Sequence, residues 1–376
     1  MGINRRQWLG LAFVAAVAPQ RAVRAAVEPG SALRGPLYLA ARKFGGNYEA
    51  VLLTEGGQVL RSVRLSGRGH SFALDSSSGT VVAFARQPGT QAVMFSCDPG
   101  KLNEPAQVFH TPQGRHFSGH GAFSADGQLL YAAENDFEAG RGMIGLYRLN
   151  PSSGGFDRVG EWASAGIGPH EIILDVKQHR LCVANGGLLT HPDYDKLVLN
   201  RDTMQASLAY LDVSNGQMLS RHVLPAHQHQ QSIRHVVLDH QQSVWFGCQY
   251  QGSRAHQVPL VGYHSGPGPL EWVQADDEIW HAMQHYVGSI AFDPITRVVA
   301  ASSPVGGVVA YWDAESKTFL AMHDLPDGCG VAPASQGGVI VNSGFGRWAY
   351  WRSGMDEPKV IKSDQSVAWD HHLRTL

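Results

Sequence analysis

Six times along the chain a histidine, or a small residue in its place, opens an apolar stretch. That stretch runs through a polar turn into a second stretch of small and apolar residues. Gly69-His70 opens SFALDSSSGTVVAFAR, Gly119-His120 opens GAFSADGQLLYAAEND, Pro169-His170 opens EIILDVKQHRLCVANGG and Arg234-His235 opens VVLDHQQSVWFGCQY. Gly288-Ser289 and Gly328-Cys329 open IAFDPITRVVAASS and GVAPASQGGVIVNSG. The openings stand 50, 50, 65, 54 and 40 residues apart, and each strand pair is followed by two more strands, such as MIGLYRLN and DRVGEWA. Four short strands in every ~40–50 residues mark the blades of a propeller.

The two ends complete the ring. Residues 36–65 supply three strands (PLYLAARK, YEAVLLTE, QVLRSVRL) with no inner one, and the closing SVAWDHHLRTL is a lone strand. Joined in one blade they make a seventh and remove the open sheet edges of an unclosed array. The reading is therefore all-β: one seven-bladed β-propeller over residues 27–376, closed by N- and C-terminal strands. It predicts pairing between the strand around Val367–Asp370 and the strand around Leu37–Ala41. The interruption at 188–205, LLTHPDYDKLVLNRDTM, falls between the second and third strands of the His170 blade, and a loop of that length usually serves function. With 43 glycines, 43% hydrophobic and 16% charged residues, the composition suits many tight turns and excludes disorder and coiled coil.

Residues 1–26 carry four arginines and no acid, with an apolar run from Leu11 to Ala18 and small residues near Ala25. A paired-Arg start and a short apolar run predict a twin-arginine signal and a periplasmic protein. The run is half the ~20 residues a membrane span needs, and no later segment reaches that length, so no span is expected in the mature chain. The remainder holds 26 basic against 32 acidic residues without Lys/Arg runs, which excludes a nucleic-acid binder. Cys97, Cys182, Cys248 and Cys329 form no CxxC and read as buried free thiols.

At the openings of the seven inner strands stand His70, His120, His170, His235, Ser289, Cys329 and His372. Five imidazoles and a thiol around one axis have the composition of a transition-metal site. The bland alternative is that each histidine bonds the aspartate of its own blade: Asp75 and Asp175 follow by five residues, Asp239 by four. A slip of one residue reverses the face of a strand unless a bulge absorbs it. His116, His191 and His371 are secondary candidates at the same rim, as is Cys329. His227 and His229 read as solvated, His281 and His285 as part of a connector, and Asp276-Asp277-Glu278 as a solvated turn. No nucleophile elbow, HExxH, P-loop or paired acid/base carboxylates occur, so no catalytic residue is assigned. A metal site made of ordinary imidazoles should release its ion as the pH falls through about 6.

The blade openings, the insertion VANGGLLTHPDYDKLVLNRDTMQASLAYLD, the segment SIRHVVLD and the ending WDHHL together resemble an uncharacterised, domain-of-unknown-function family of twin-arginine-exported propeller proteins. The PHEIILD…LCVANGG unit is similar, more distantly, to the YVTN repeat of lactonase-like propellers. The resemblance implies a place beside imelysin-like and di-haem periplasmic proteins in bacterial iron uptake. It carries over to His70, His116, His120, His170, His191, His235 and His372, with His371 standing where the family has asparagine. Three readings follow: a periplasmic protein binding copper or iron, a metal-dependent oxidoreductase or lactonase-like hydrolase, and a docking platform for an iron-uptake partner.

Overall fold

A strand buried on both sides needs apolar residues at every position, because successive side chains point to opposite faces. Leu37–Phe44 shows the consequence: Leu39 and Ala41 pack towards one neighbouring blade, Tyr38 and Ala40 towards the other. The computed structural model describes residues 35–194 and 197–376; the expected export signal, residues 1–26, lies outside them. The described chain forms seven four-stranded antiparallel sheets, and their inner strands touch in cyclic order to close a seven-bladed β-propeller. Seven apolar clusters fill the seven gaps between adjacent blades. Towards the rim burial fades, and the fourth strands Phe156–Ala163 and Lys359–Ser363 are half or wholly exposed.

Blade 1 combines Leu37–Phe44, Asn47–Thr54 and Val59–Leu65 with the C-terminal strand Val367–Thr375. Its register is antiparallel throughout: Tyr38 faces Thr375, Ala40 faces Leu373 and Phe44 faces Val367. Val367–Asp370 thus lies opposite Arg42–Phe44, while the Leu37–Ala41 side meets the last residues of the chain. Val367, Trp369 and Leu373 are buried against blade 7. Deleting residues 366–376 is expected to expose that apolar face and two sheet edges and to cause aggregation. A soluble, monomeric truncation product with unchanged circular dichroism would contradict ring closure.

Blades 2 to 7 begin with inner strands Gly69–Asp75, Arg115–Phe123, Pro169–Asp175, Gln231–Leu238, Ser289–Asp293 and Gly328–Pro333. In blade 4 the insertion leaves the second strand at Asn185 and rejoins at Ser207. Asn200 staples its two limbs, accepting from Leu189 N at 2.8 Å and donating to Gly187 O at 2.8 Å. Between blades 5 and 6 the acidic stretch is more than a turn. Asp277 and Glu278 begin a short helix, Asp277–Ala282, whose Trp280 stacks on Trp312 at 5.9 Å. Acidic side chains suit the positive end of a helix. The four cysteines are buried free thiols. No helix among the described residues is long and apolar enough to cross a membrane.

Candidate metal centre

Each inner strand that carries a site histidine has a break in its ladder at that histidine. The pairing shifts between Gly69 and Phe72, Phe117 and Gly121, Pro169 and Ile172, and Ile233 and His235, and in blade 1 opposite Ala40–Arg42. A bulge places two residues against one and re-aims a side chain, which is how His235, one residue closer to its aspartate, still joins the others. Blade 6, with Ser289 at the opening, runs unbroken from Ser289 to Asp293. The expected position at strand openings holds for His70 and His170. His120, His235 and His372 lie within their strands, because those strands begin earlier, at Arg115, Gln231 and Val367.

The five imidazoles meet on the channel axis. Ring centroids of His70 stand 4.9 Å from His120, 5.4 Å from His170 and 4.5 Å from His372. His170–His235 and His235–His372 are separated by 4.8 and 4.9 Å. Ligand atoms of His70, His120 and His170 lie within 4.8 Å of one another, as do those of His120, His235 and His372, so His120 belongs to both triads. Donors about 2.1 Å from one tetrahedral ion stand about 3.4 Å apart, so each triad has to draw in to hold a metal. Close approach of the rings requires Gly119, at φ +99°: a β-carbon there would sit 2.2 Å from Cδ2 of His70.

The aspartates do not hold these rings. Asp75 caps its own turn through Ser77 and Ser78, Asp175 pairs with Arg180, and Asp239 accepts from Trp245 and Lys317. Instead, His170 donates from Nδ1 to the Arg234 carbonyl at 3.1 Å and His235 from Nδ1 to Glu171 at 3.2 Å, leaving Nε2 of each with its lone pair. Among the described residues, four other nitrogens are buried with no hydrogen-bond partner: Nδ1 of His70, both nitrogens of His120 and Nε2 of His372. Burial above all keeps these rings neutral. It pushes His120 down to about 3, and His70, His170 and His372 well below the ordinary value. Neutral imidazoles are the form that binds metal.

Beside them lies Glu171, buried and unforeseen from the sequence. It accepts from Val236 N and His235, pairs with Arg374, and stands 3.6 Å from Nδ1 of His120. Burial pushes its carboxyl up, but the Arg374 guanidinium and the hydrogen bond from His235 outweigh that and hold it well below the usual range. The only hint in the sequence is an acid directly after His170 in an otherwise apolar strand.

Over the cluster opens a cavity of about 400 Å³, with His70, His170 and His235 on its floor and the insertion (Leu188, Thr190, His191, Pro192, Val198) along its wall. Thr190 accepts from Gln87 of blade 2 at 3.0 Å, tying the insertion across the opening. His116 and His191 line this cavity rather than the cluster. His116 stacks on Phe137 and His191 meets the same ring edge-on. The neighbours His371 and His372 divide: His372 joins the cluster, and His371 faces the cavity 6.5 Å from His70. Cys329 turns away, donating from Sγ to Asp327 O at 3.1 Å, and burial raises its thiol well above the ordinary value. His227 is exposed on a short turn, while His285, held to His256 O at 2.7 Å, reaches the cavity rim.

Residues 63–376 match one family model, described as a protein of unknown function (DUF1513). No functionally curated protein matches the chain in sequence. Among solved structures, the periplasmic gluconolactonase of Pseudomonas aeruginosa is similar at 13% identity and TM-score 0.61, over 91% of this chain and 99% of that one. The hydrazine synthase of Kuenenia stuttgartiensis is similar at 12% and 0.57, over 86% and 91%. A functionally unknown protein from Desulfotomaculum acetoxidans gives 9% and 0.55, over 90% and 99%. At such identities the likeness concerns the propeller fold alone.

Proposed function

The chain belongs to this family of unknown function, so its own chemistry has to supply the reading, and we propose that it binds a transition metal, copper or iron, among His70, His120, His170, His235 and His372. The observation that carries the reading is the set of four buried imidazole nitrogens without partners, converging on one axis. Buried polar atoms without partners are rare in folded proteins and call for an explanation, of which a bound ion is one, and here four of them share one point. An all-imidazole donor set suits Cu, Fe, Zn and Ni rather than Ca or Mg. The closed ring holds the donors on rigid strands, and Glu171 orients His235 as outer-shell carboxylates do. The sequence resemblance favours iron and supports a role in bacterial iron uptake after twin-arginine export, and copper suits the same all-imidazole donors. Imelysin-like or di-haem proteins are the partners it suggests.

A second reading, a metal-dependent oxidoreductase or lactonase-like hydrolase, is favoured by the cavity, which leaves one side of the cluster open to a small molecule. Elemental analysis of protein exported by its native route, with and without added copper and iron, tests the primary reading. About one equivalent of one metal is expected. No transition metal under any supply would overturn it and leave a docking platform.

A further inference from the structure

Arg234 faces the cavity directly above the cluster, and among the described residues no carboxylate pairs with it. Its Nε is buried without a hydrogen bond, and its side chain lies against Gly186, where a β-carbon would come within 3.0 Å of Nη1. Across the cavity Arg86 is only half satisfied: Nη1 has no hydrogen bond and stands 3.5 Å from Asp370, whose carboxylate is already taken by Arg68 and by the His371 amide. Arg86 and Arg234 are thus the two arginines of the cavity lining, which among the described residues holds no carboxylate, while Arg68 pairs with Asp370 and Arg374 with Glu171. The carboxylates beside His191, Glu138 and Asp193, are exposed and do not line the cavity. Half-buried guanidiniums that face a cavity with no carboxylate in its described lining are placed to receive an anion.

We propose that this cavity binds a small organic carboxylate, seated on Arg234 and Arg86 with its hydrocarbon part under Leu188, Pro192 and Val198. A guanidinium matches a carboxylate with two parallel hydrogen bonds, and the apolar wall separates an organic acid from a bare inorganic anion. Two guanidiniums fit a dicarboxylate best. The anion seat stands without the metal; only its coupling rests on the preceding reading, since a carboxylate oxygen above His70 and His170 would complete the coordination of an ion held there.

Calorimetric titration with succinate, acetate and inorganic phosphate, on chelator-treated and on metal-loaded protein, tests this. Succinate should bind metal-free protein more tightly than acetate or phosphate. Arg234→Gln and Arg86→Gln should each weaken it at least tenfold, with Arg234→Lys recovering part of the loss, all three keeping the wild-type circular dichroism. Tighter succinate binding on metal loading would add the coupling; unchanged binding would remove the coupling alone and leave the anion seat. Failure of succinate to bind in either state, equal binding of phosphate, or binding unaffected by both glutamine variants would overturn the proposal, whatever the metal content.

Discussion

Replacing His120 and His170 together by alanine is expected to abolish stoichiometric metal while leaving the propeller's circular dichroism intact. His120 belongs to both triads, so its loss breaks each of them, and the loss of His170 removes a further donor from the first. Neither ring belongs to the seven interblade apolar clusters that hold the ring together. Both are buried polar groups whose removal also relieves a desolvation cost. The paired control is His227 and His229, on an exposed turn outside both triads, whose replacement should leave metal content unchanged. Equal metal in both double mutants would place the ion elsewhere.

Metal-free protein should lose stability steeply as the pH falls from about 6.5 towards 5. In the folded chain burial holds His70, His120, His170 and His372 neutral, with the guanidiniums of Arg86, Arg234 and Arg374 acting in the same direction and Glu171 opposing it at His120 without overcoming it. Unfolded, the same rings take up protons below ~6.5. The unfolded state therefore binds more protons, and each histidine lowers stability by about 1.4 kcal/mol per pH unit below that point, or roughly 5 kcal/mol per unit for four. A typical reserve of about 5–15 kcal/mol is largely consumed within one to two units. Glu171 adds to the trend further down, because its depressed carboxyl stabilises the fold above ~4.5 and progressively less below. Urea unfolding in the presence of a chelator, at steps from pH 7.5 to 5, measures the slope; a flat profile would contradict it. The expectation of metal loss near pH 6 by simple ring protonation is corrected accordingly. Proton competition inside the folded site begins lower, so release should accompany unfolding.

The blade count was readable because the repeat is long and its openings are marked by one residue type. Histidine at His70, His120, His170 and His235 stood out against strands of valine, alanine and leucine. What stayed hidden depends on contacts across the ring. Glu171 and Arg374 are 203 residues apart, and neither carries a local motif. His371 and His372 part because neighbours on a strand point to opposite faces, and which of them faces the axis depends on a register that shifts opposite Ala40–Arg42, a backbone feature without a residue signature. The helix Asp277–Ala282 spans six residues, too few for its period to rise above the connector around it. Arg234 stands in the segment SIRH, but that no acidic partner meets it among the described residues becomes apparent only once the cavity is formed.

Because the strand that closes the ring also carries His372 and Arg374, the centre is built from both extremes of the chain. Leu39 must find Arg374 before His372 can face His70 and His120, and before Glu171 gains its cation. Pairing across so long a separation carries the largest entropy cost and comes late in folding. A chain cut short, or one whose last strand has slipped by a residue, would keep most of its blades and still lack a complete donor set. On the proposed reading, capture of an ion would therefore act as an inspection of finished work, separating closed rings from nearly closed ones.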